Sequence, residues 1–178
     1  MRKSKQLPFL FLAVLLLTAC KLSTPVEEIK QKTALEGLNL SSREWTAAQK
    51  EDVIASTVKV SRLDTDVYKM TFSIDYATLD AGSVGYNGSN MGYFMMCAAS
   101  HIATKAAQPY FWTGHLDGER PFEGKTPKTP AVVYLGLSDV SSSKPPATQQ
   151  KIIWDKVGVS DPKTLKPICQ SVFANYPN

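Results

Sequence analysis

The chain is poor in the residues that most often carry chemistry. It has two histidines, His101 and His115, and three cysteines among 178 residues. No HExxH segment and no paired-cysteine spacing occurs, so the common zinc signatures are missing. The glycines of "DAGSVGYNGSNMG", Gly82, Gly85, Gly88 and Gly92, fit neither G-x-G-x-x-G nor the P-loop pattern with its lysine, which leaves no nucleotide fingerprint. No Ser-His-Asp set or paired-carboxylate motif stands out, and nothing in the sequence calls for a cofactor. There is no run of five or six like charges to serve as a basic arm. The longest apolar run, "LPFLFLAVLLL" (Leu7 to Leu17), is 11 residues, short of the roughly 18 needed to span a bilayer.

That run does have a function as a leader. Arg2, Lys3 and Lys5 precede it and "LTAC" (Leu17, Thr18, Ala19, Cys20) closes it, the basic, apolar and small-residue order of a signal peptide. Leu-small-Ala-Cys resembles the lipobox of bacterial lipoproteins. The resemblance implies removal of residues 1–19, diacylglycerol on the Cys20 sulfur and acylation of its amine. Two or three acyl chains would hold the protein to a membrane far more firmly than one. Lys21 follows the cysteine where inner-membrane lipoproteins of well-studied Gram-negative bacteria tend to have Asp. The resemblance therefore implies the outer membrane, with the domain facing the periplasm. Loss of the leader also changes the charge. The full chain has 20 basic and 16 acidic residues, net +4; without Arg2, Lys3 and Lys5 the balance is 17 against 16, net +1. A nucleic-acid partner loses its electrostatic support.

From Cys20 to Asn178, 159 residues remain, enough for one domain with its own core. Residues 20–40 are mostly polar, contain Pro25 and lack a sustained apolar stripe. They read as the lipidated N-terminus and a tether, although "VEEIKQKTAL" could form a short helix. Residues 41–178 read as a single α+β domain. Ser41 and Glu44 have capping-box spacing and predict a short helix over 42–50. "VIASTVKVSRL" (53–63) and "VYKMTFSIDYA" (67–77) predict strands. In the second, Tyr68, Met70, Phe72, Ile74 and Tyr76 alternate with polar residues, the pattern of a sheet with one wet face. "DTD" (64–66) predicts the hairpin turn between them. A calcium loop starting at Asp64 would need a ligand and a glycine where Tyr68 and Lys69 stand.

The glycine-rich stretch 80–90 predicts a loop, and 91–108 an alanine-rich helix ended by Pro109. "PYFW" (109–112) and the continuous apolar run "AVVYLGLSD" (131–139) predict strands, the latter central. "QQKIIWDKVG" (149–158) fits either strand or helix. Asp161 starts a C-terminal helix bearing Leu165, Ile168, Cys169 and Val172. The expected architecture is a roughly four-stranded, mainly antiparallel sheet with the alanine-rich and C-terminal helices packed on one face.

The strand "YKMTFSIDY", the helix "CAASHIATKA" and the aromatic pair Tyr110 and Phe111 resemble, over Val53 to Trp112, a group of small proteobacterial lipoproteins of unknown function. Ala107, Gln108 and Pro109 stand where that group usually has a glycine linking helix to strand. The resemblance implies no catalytic residues.

Three sites remain open. Cys97 and His101 share a helix face at i and i+4 near a helix start, which would suit a thiol nucleophile. Against this, once Cys20 is lipidated, Cys97 and Cys169 are an even pair in a compartment that permits disulfides; a bridge and a pair of buried free thiols are the other readings. The stretch 113–130 is a long connection with three prolines and three glycines, of the kind that often binds partners. His115, Asp117, Arg120 and Phe122 are its candidate contact residues. His115, Asp117, Glu119 and Glu123 could in principle hold a metal, but without ligand spacing they read as a solvated loop. Tyr68, Phe72, Tyr76, Phe111 and Trp112 could line a ligand cavity, or simply form core. The leading expectation is a non-enzymatic, lipid-anchored envelope protein that engages a protein partner. The alternatives are a carrier of a small ligand or lipid, and a thiol enzyme using Cys97 and His101.

Overall fold

The computed structural model of the protein describes residues 34–45, 56–75, 84–123, 126–141, 151–154 and 159–177. The leader, Cys20, most of the expected tether and Tyr76 lie outside them. Six strands form the main sheet: β1 (Asn39–Ser41), β2 (Ser56–Asp64), β3 (Val67–Ile74), β4 (Tyr110–His115), β7 (Ala131–Ser138) and β8 (Ile153–Trp154). Their spatial order is β1-β2-β3-β7-β4-β8, and each neighbouring pair is antiparallel. A separate two-stranded ribbon pairs β5 (Phe122–Glu123) with β6 (Thr126–Pro127). The helices are α1 (Ser42–Trp45), α2 (Val84–Lys105) and α3 (Pro162–Val172).

The period-2 pattern of β3 decides which side of the sheet is dry. Tyr68, Met70 and Phe72 are fully buried, while Lys69, Thr71 and Ser73 lie on the other face. Met70 sits between Val60 of β2 and Val133 of β7, so the central register stacks apolar residues across three strands. Strand β7 is central, as its continuous apolar run predicts. Asp64 and Asp66 close the β2–β3 hairpin, with the Thr65 N–H donating to the Asp64 carboxylate at 2.7 Å.

Helix α2 covers the dry face. Phe94, Ala98 and Ile102 repeat at four-residue steps and are buried with Ala99 and Ala103. The small side chains let helix and sheet approach closely. Helix α3 packs on the same side. Its N-cap, Asp161, accepts the Lys163 N–H at 2.8 Å ahead of Pro162, a pairing of acidic cap and proline that favours a helix start. The two helices are bridged by the Cys97–Cys169 disulfide, with Cα atoms 5.7 Å apart.

The structure corrects three expectations. The sheet has six strands, not four, because short β1 and β8 extend its two edges. Leu35 and Leu40, inside the stretch read as a tether, are buried in the core. Helix α2 begins at Val84, within the stretch read as a glycine-rich loop. Glycine weakens a helix by about 1 kcal/mol per residue without forbidding it, and the packed turns from Met91 onward supply the nucleus from which the helix extends backward.

The wet face is only partly wet. Val67, Val132, Tyr134 and Ile152 form a second cluster there, with Leu116 and Trp154 against it. The Tyr134 hydroxyl donates to Glu119 Oε2 at 2.9 Å. Burial, reinforced by the bond to Glu119 and its charge, pushes the phenol up to about 12. Gly136 lies under the indoles of Trp112 and Trp154, which would stand 3.3 and 3.1 Å from any added Cβ.

Candidate functional site: a cleft at the open end of the helix layer

The dry face has a filled end and an open end. At the filled end Trp45, carried by α1, meets Phe94, Phe173 and Tyr176 edge-on, with ring centroids 5.4, 6.0 and 5.1 Å away. The Tyr176 hydroxyl donates to the Cys97 carbonyl at 3.1 Å, and the Asn175 N–H donates to the Trp45 carbonyl at 2.8 Å. Chain segments from both ends of the domain are thereby tied to α2.

This is where the proposed thiol pair lies. Cys97 is spent in the disulfide. His101 packs edge-on against Trp45 at 5.6 Å and Tyr176 at 6.2 Å. Burial, assisted by the nearby Lys105 cation, lowers its pKa to about 4. Near neutral pH the imidazole is an uncharged part of an aromatic cluster.

The open end lies toward the β4–β8 edge, where a cleft of about 540 Å³ lies between α2 and the sheet. Gly92, Met95 and Met96 of α2 form one wall. The floor comes from Val133 and from Thr113 and His115, which alternation along β4 puts on the same face as buried Phe111. Ile153, paired with His115, and Trp154 supply the edge, and Arg120 and Pro121 close the remaining side. The volume falls within the roughly 300–1,000 Å³ usual for small-molecule sites.

The composition of this wall is as informative as its size. Among the described residues that line it, Arg120 is the one fixed cation and there is no carboxylate. Methionine adapts its shape to irregular apolar partners, and Met95 and Met96 are adjacent here. Gly92 faces open space: a Cβ built on it meets no atom within 4 Å.

The loop residues singled out in the sequence divide. His115 and Arg120 line the cleft. Asp117 is exposed and does not. Phe122 belongs to β5, with its side chain outside the described residues. The aromatics proposed to line a cavity do not line this one: Tyr68, Phe72 and Phe111 are fully buried core, and Trp112 packs on the opposite face. Met95, Met96, Val133 and Ile153 carry only a generic apolar signal in the sequence, and nothing there marks them as cleft residues. Among the described residues no cluster of three potential metal ligands occurs, and no helix is long and apolar enough to cross a membrane. Compared with known proteins, the chain matches no protein-family model, no curated protein sequence and no solved structure.

Proposed function

We propose that the protein is a lipid-anchored component of a bacterial envelope that holds a small apolar or amphiphilic ligand without transforming it. Cys20 would carry the lipid, the outer membrane would be its site, and the domain would face the periplasm. The leader with its "LTAC" end supports the address. The observation that carries the binding role is the cleft of about 540 Å³ between α2 and the β4–β8 edge, on a domain whose opposite end is packed full of aromatic rings. A cleft of this volume, walled largely by apolar side chains with a few polar groups, has the make-up usual for small-molecule sites.

Native mass spectrometry of the full chain purified from membranes tests this. A bound small molecule beyond the covalent acyl mass is the expected result, and an empty protein from several preparations argues against it. Peptide mapping of the same sample reads the acylation of Cys20; an unmodified Cys20 still attached to residues 1–19 would remove the anchor.

A protein partner is the second reading, and the sequence alone ranks it first. Its support is Ile153, 46% exposed on a two-residue edge strand, a position where another chain could add on. Crosslinking in intact cells should then trap one defined partner through the β8 edge, and a monomeric pattern with several crosslinkers counts against it.

A further inference from the structure

Resting on the reading of the cleft as a ligand site, we infer that its occupant is a single-chain amphiphile ending in one carboxylate, a fatty acid in chemical class, with Arg120 as the residue that holds its headgroup. The assignment follows from how the lining is divided. Met95, Met96, Val133 and Ile153 offer saturated carbon and sulfur surface to an alkyl chain, and Pro121 adds to it. Among the described residues of the lining the one fixed positive charge is on Arg120, which is exposed and so sits at the mouth with its head in water. A planar guanidinium accepts a carboxylate as a two-pronged partner. A dianionic phosphate would call for more than one cation, and a cationic headgroup would call for a carboxylate, which is lacking among the described residues of the lining. The nearest acid in sequence, Glu119, is turned to the other face and bonded to Tyr134 at 2.9 Å, so it does not neutralise the mouth.

Gly92 is the second, independent observation. It lies within α2, where glycine is a poor helix former, and packing does not require it, since an added Cβ meets nothing within 4 Å. What a side chain there would do is narrow the cleft. The glycine keeps the wall recessed for something outside the chain.

The test places a reporter at the cleft edge with Ile153→Trp, an exposed position paired with His115, because the native tryptophans face elsewhere: Trp45 belongs to the filled end, and Trp112 and Trp154 lie over Gly136 on the opposite face of the sheet. Bromine quenches indole fluorescence only at near contact. The purified full chain, in a fixed concentration of nonionic detergent, is titrated with dibrominated stearate and, separately, with dibrominated stearyl alcohol. Stearate is expected to quench the Ile153→Trp protein well beyond the parent chain. The alcohol should bind on the order of tenfold more weakly, the scale of one charge-assisted hydrogen bond. Arg120→Glu, at an exposed position, should abolish the preference for the acid. Gly92→Phe should block both probes while leaving the melting temperature in place. Equal affinity for acid and alcohol, or a preference untouched by Arg120→Glu, overturns the headgroup assignment and leaves the cleft as an apolar ligand site. Failure of both probes to quench the folded Ile153→Trp protein and to bind the wild-type chain in native mass spectrometry overturns the assignment together with the reading on which it rests.

Discussion

The two ends of the helix layer are built from the same helix and the same sheet, and they solve opposite problems. At the filled end α2 is held by a disulfide, by the edge-on packing of Trp45, Phe173 and Tyr176 around Phe94, and by the Tyr176 hydroxyl, which donates to the Cys97 carbonyl. At the open end it presents glycine and methionine to a cleft and relies on Arg120 and Pro121, from the connection after β4, to complete the wall. The lesson is one of division. Rigidity concentrated at one end holds the helix at a fixed distance from the sheet, so the other end can remain open without collapsing. Substitutions at the filled end should therefore cost stability and spare binding, and those at the open end should do the reverse.

The largest effect is expected at the bridge. Cys97 and Cys169 are 72 positions apart, and closing a loop of that size is worth about 4 kcal/mol in the chain-entropy account. Replacing both by alanine should lower unfolding free energy by roughly that amount, measured by urea denaturation with and without reductant on the parent protein. If the division of labour holds, ligand retention by the protein that remains folded is unchanged. Coupled loss of binding at temperatures well below the midpoint would show that the filled end also shapes the cleft.

A smaller effect separates the ends by pH. His101 titrates at about 4 in the fold against 6.5 when unfolded. Between those values the unfolded chain binds the proton that the folded one refuses, so stability is full above about 6.5 and is lost as pH falls toward 4. The slope from one such group cannot exceed about 1.4 kcal/mol per pH unit. His101→Gln, which cannot titrate, should flatten the pH dependence of the denaturation midpoint across that window. An unchanged slope would place the acid sensitivity elsewhere.

Much of the filled end is legible in the sequence, and the open end is not. The strict alternation of Tyr68 to Ile74, the apolar run of β7 and the four-residue repeat of α2 are local patterns with one period each, and each reports its own buried face. The Cys97–Cys169 pairing follows from an even count once Cys20 is set aside, which is arithmetic more than geometry. Strands β1 and β8 have three and two residues, too few for any period to register, and their place comes from partners in β2 and β4. The cleft combines residues from Gly92 to Trp154, and no spacing rule connects them. His115 and Arg120 stand out in the sequence because their loop is long and charged, not because of any signal that they share a cleft with Met95 and Val133.

The smallest expected effect concerns two positions of α2, one inside the helix and one just past its C-terminus, and it sharpens the contrast most. The chain has glycine where alanine would suit the helix and alanine where glycine would suit the turn. At the C-terminus the Ala107 N–H donates to the Thr104 carbonyl and the Gln108 N–H to the Ala103 carbonyl, at 3.0 and 2.9 Å, the two bonds of a Schellman cap. Its left-handed position is Ala107, at φ 54°, where a Cβ costs about 1–2 kcal/mol that glycine would not incur. Ala107→Gly should raise stability by up to about 1 kcal/mol after the greater freedom of glycine in the unfolded chain is deducted. Gly92→Ala should raise it by a similar amount, roughly 0.5–1 kcal/mol, since the added methyl meets open space. Binding distinguishes the pair. Ala107→Gly acts on a closing turn remote from the cleft lining and should leave ligand affinity as it was. Gly92→Ala adds a methyl to the cleft wall and should weaken a bulky ligand even as the protein melts higher. If both variants gain stability and both keep full affinity, the recess at Gly92 serves no ligand, and the contrast between the two ends is one of packing alone.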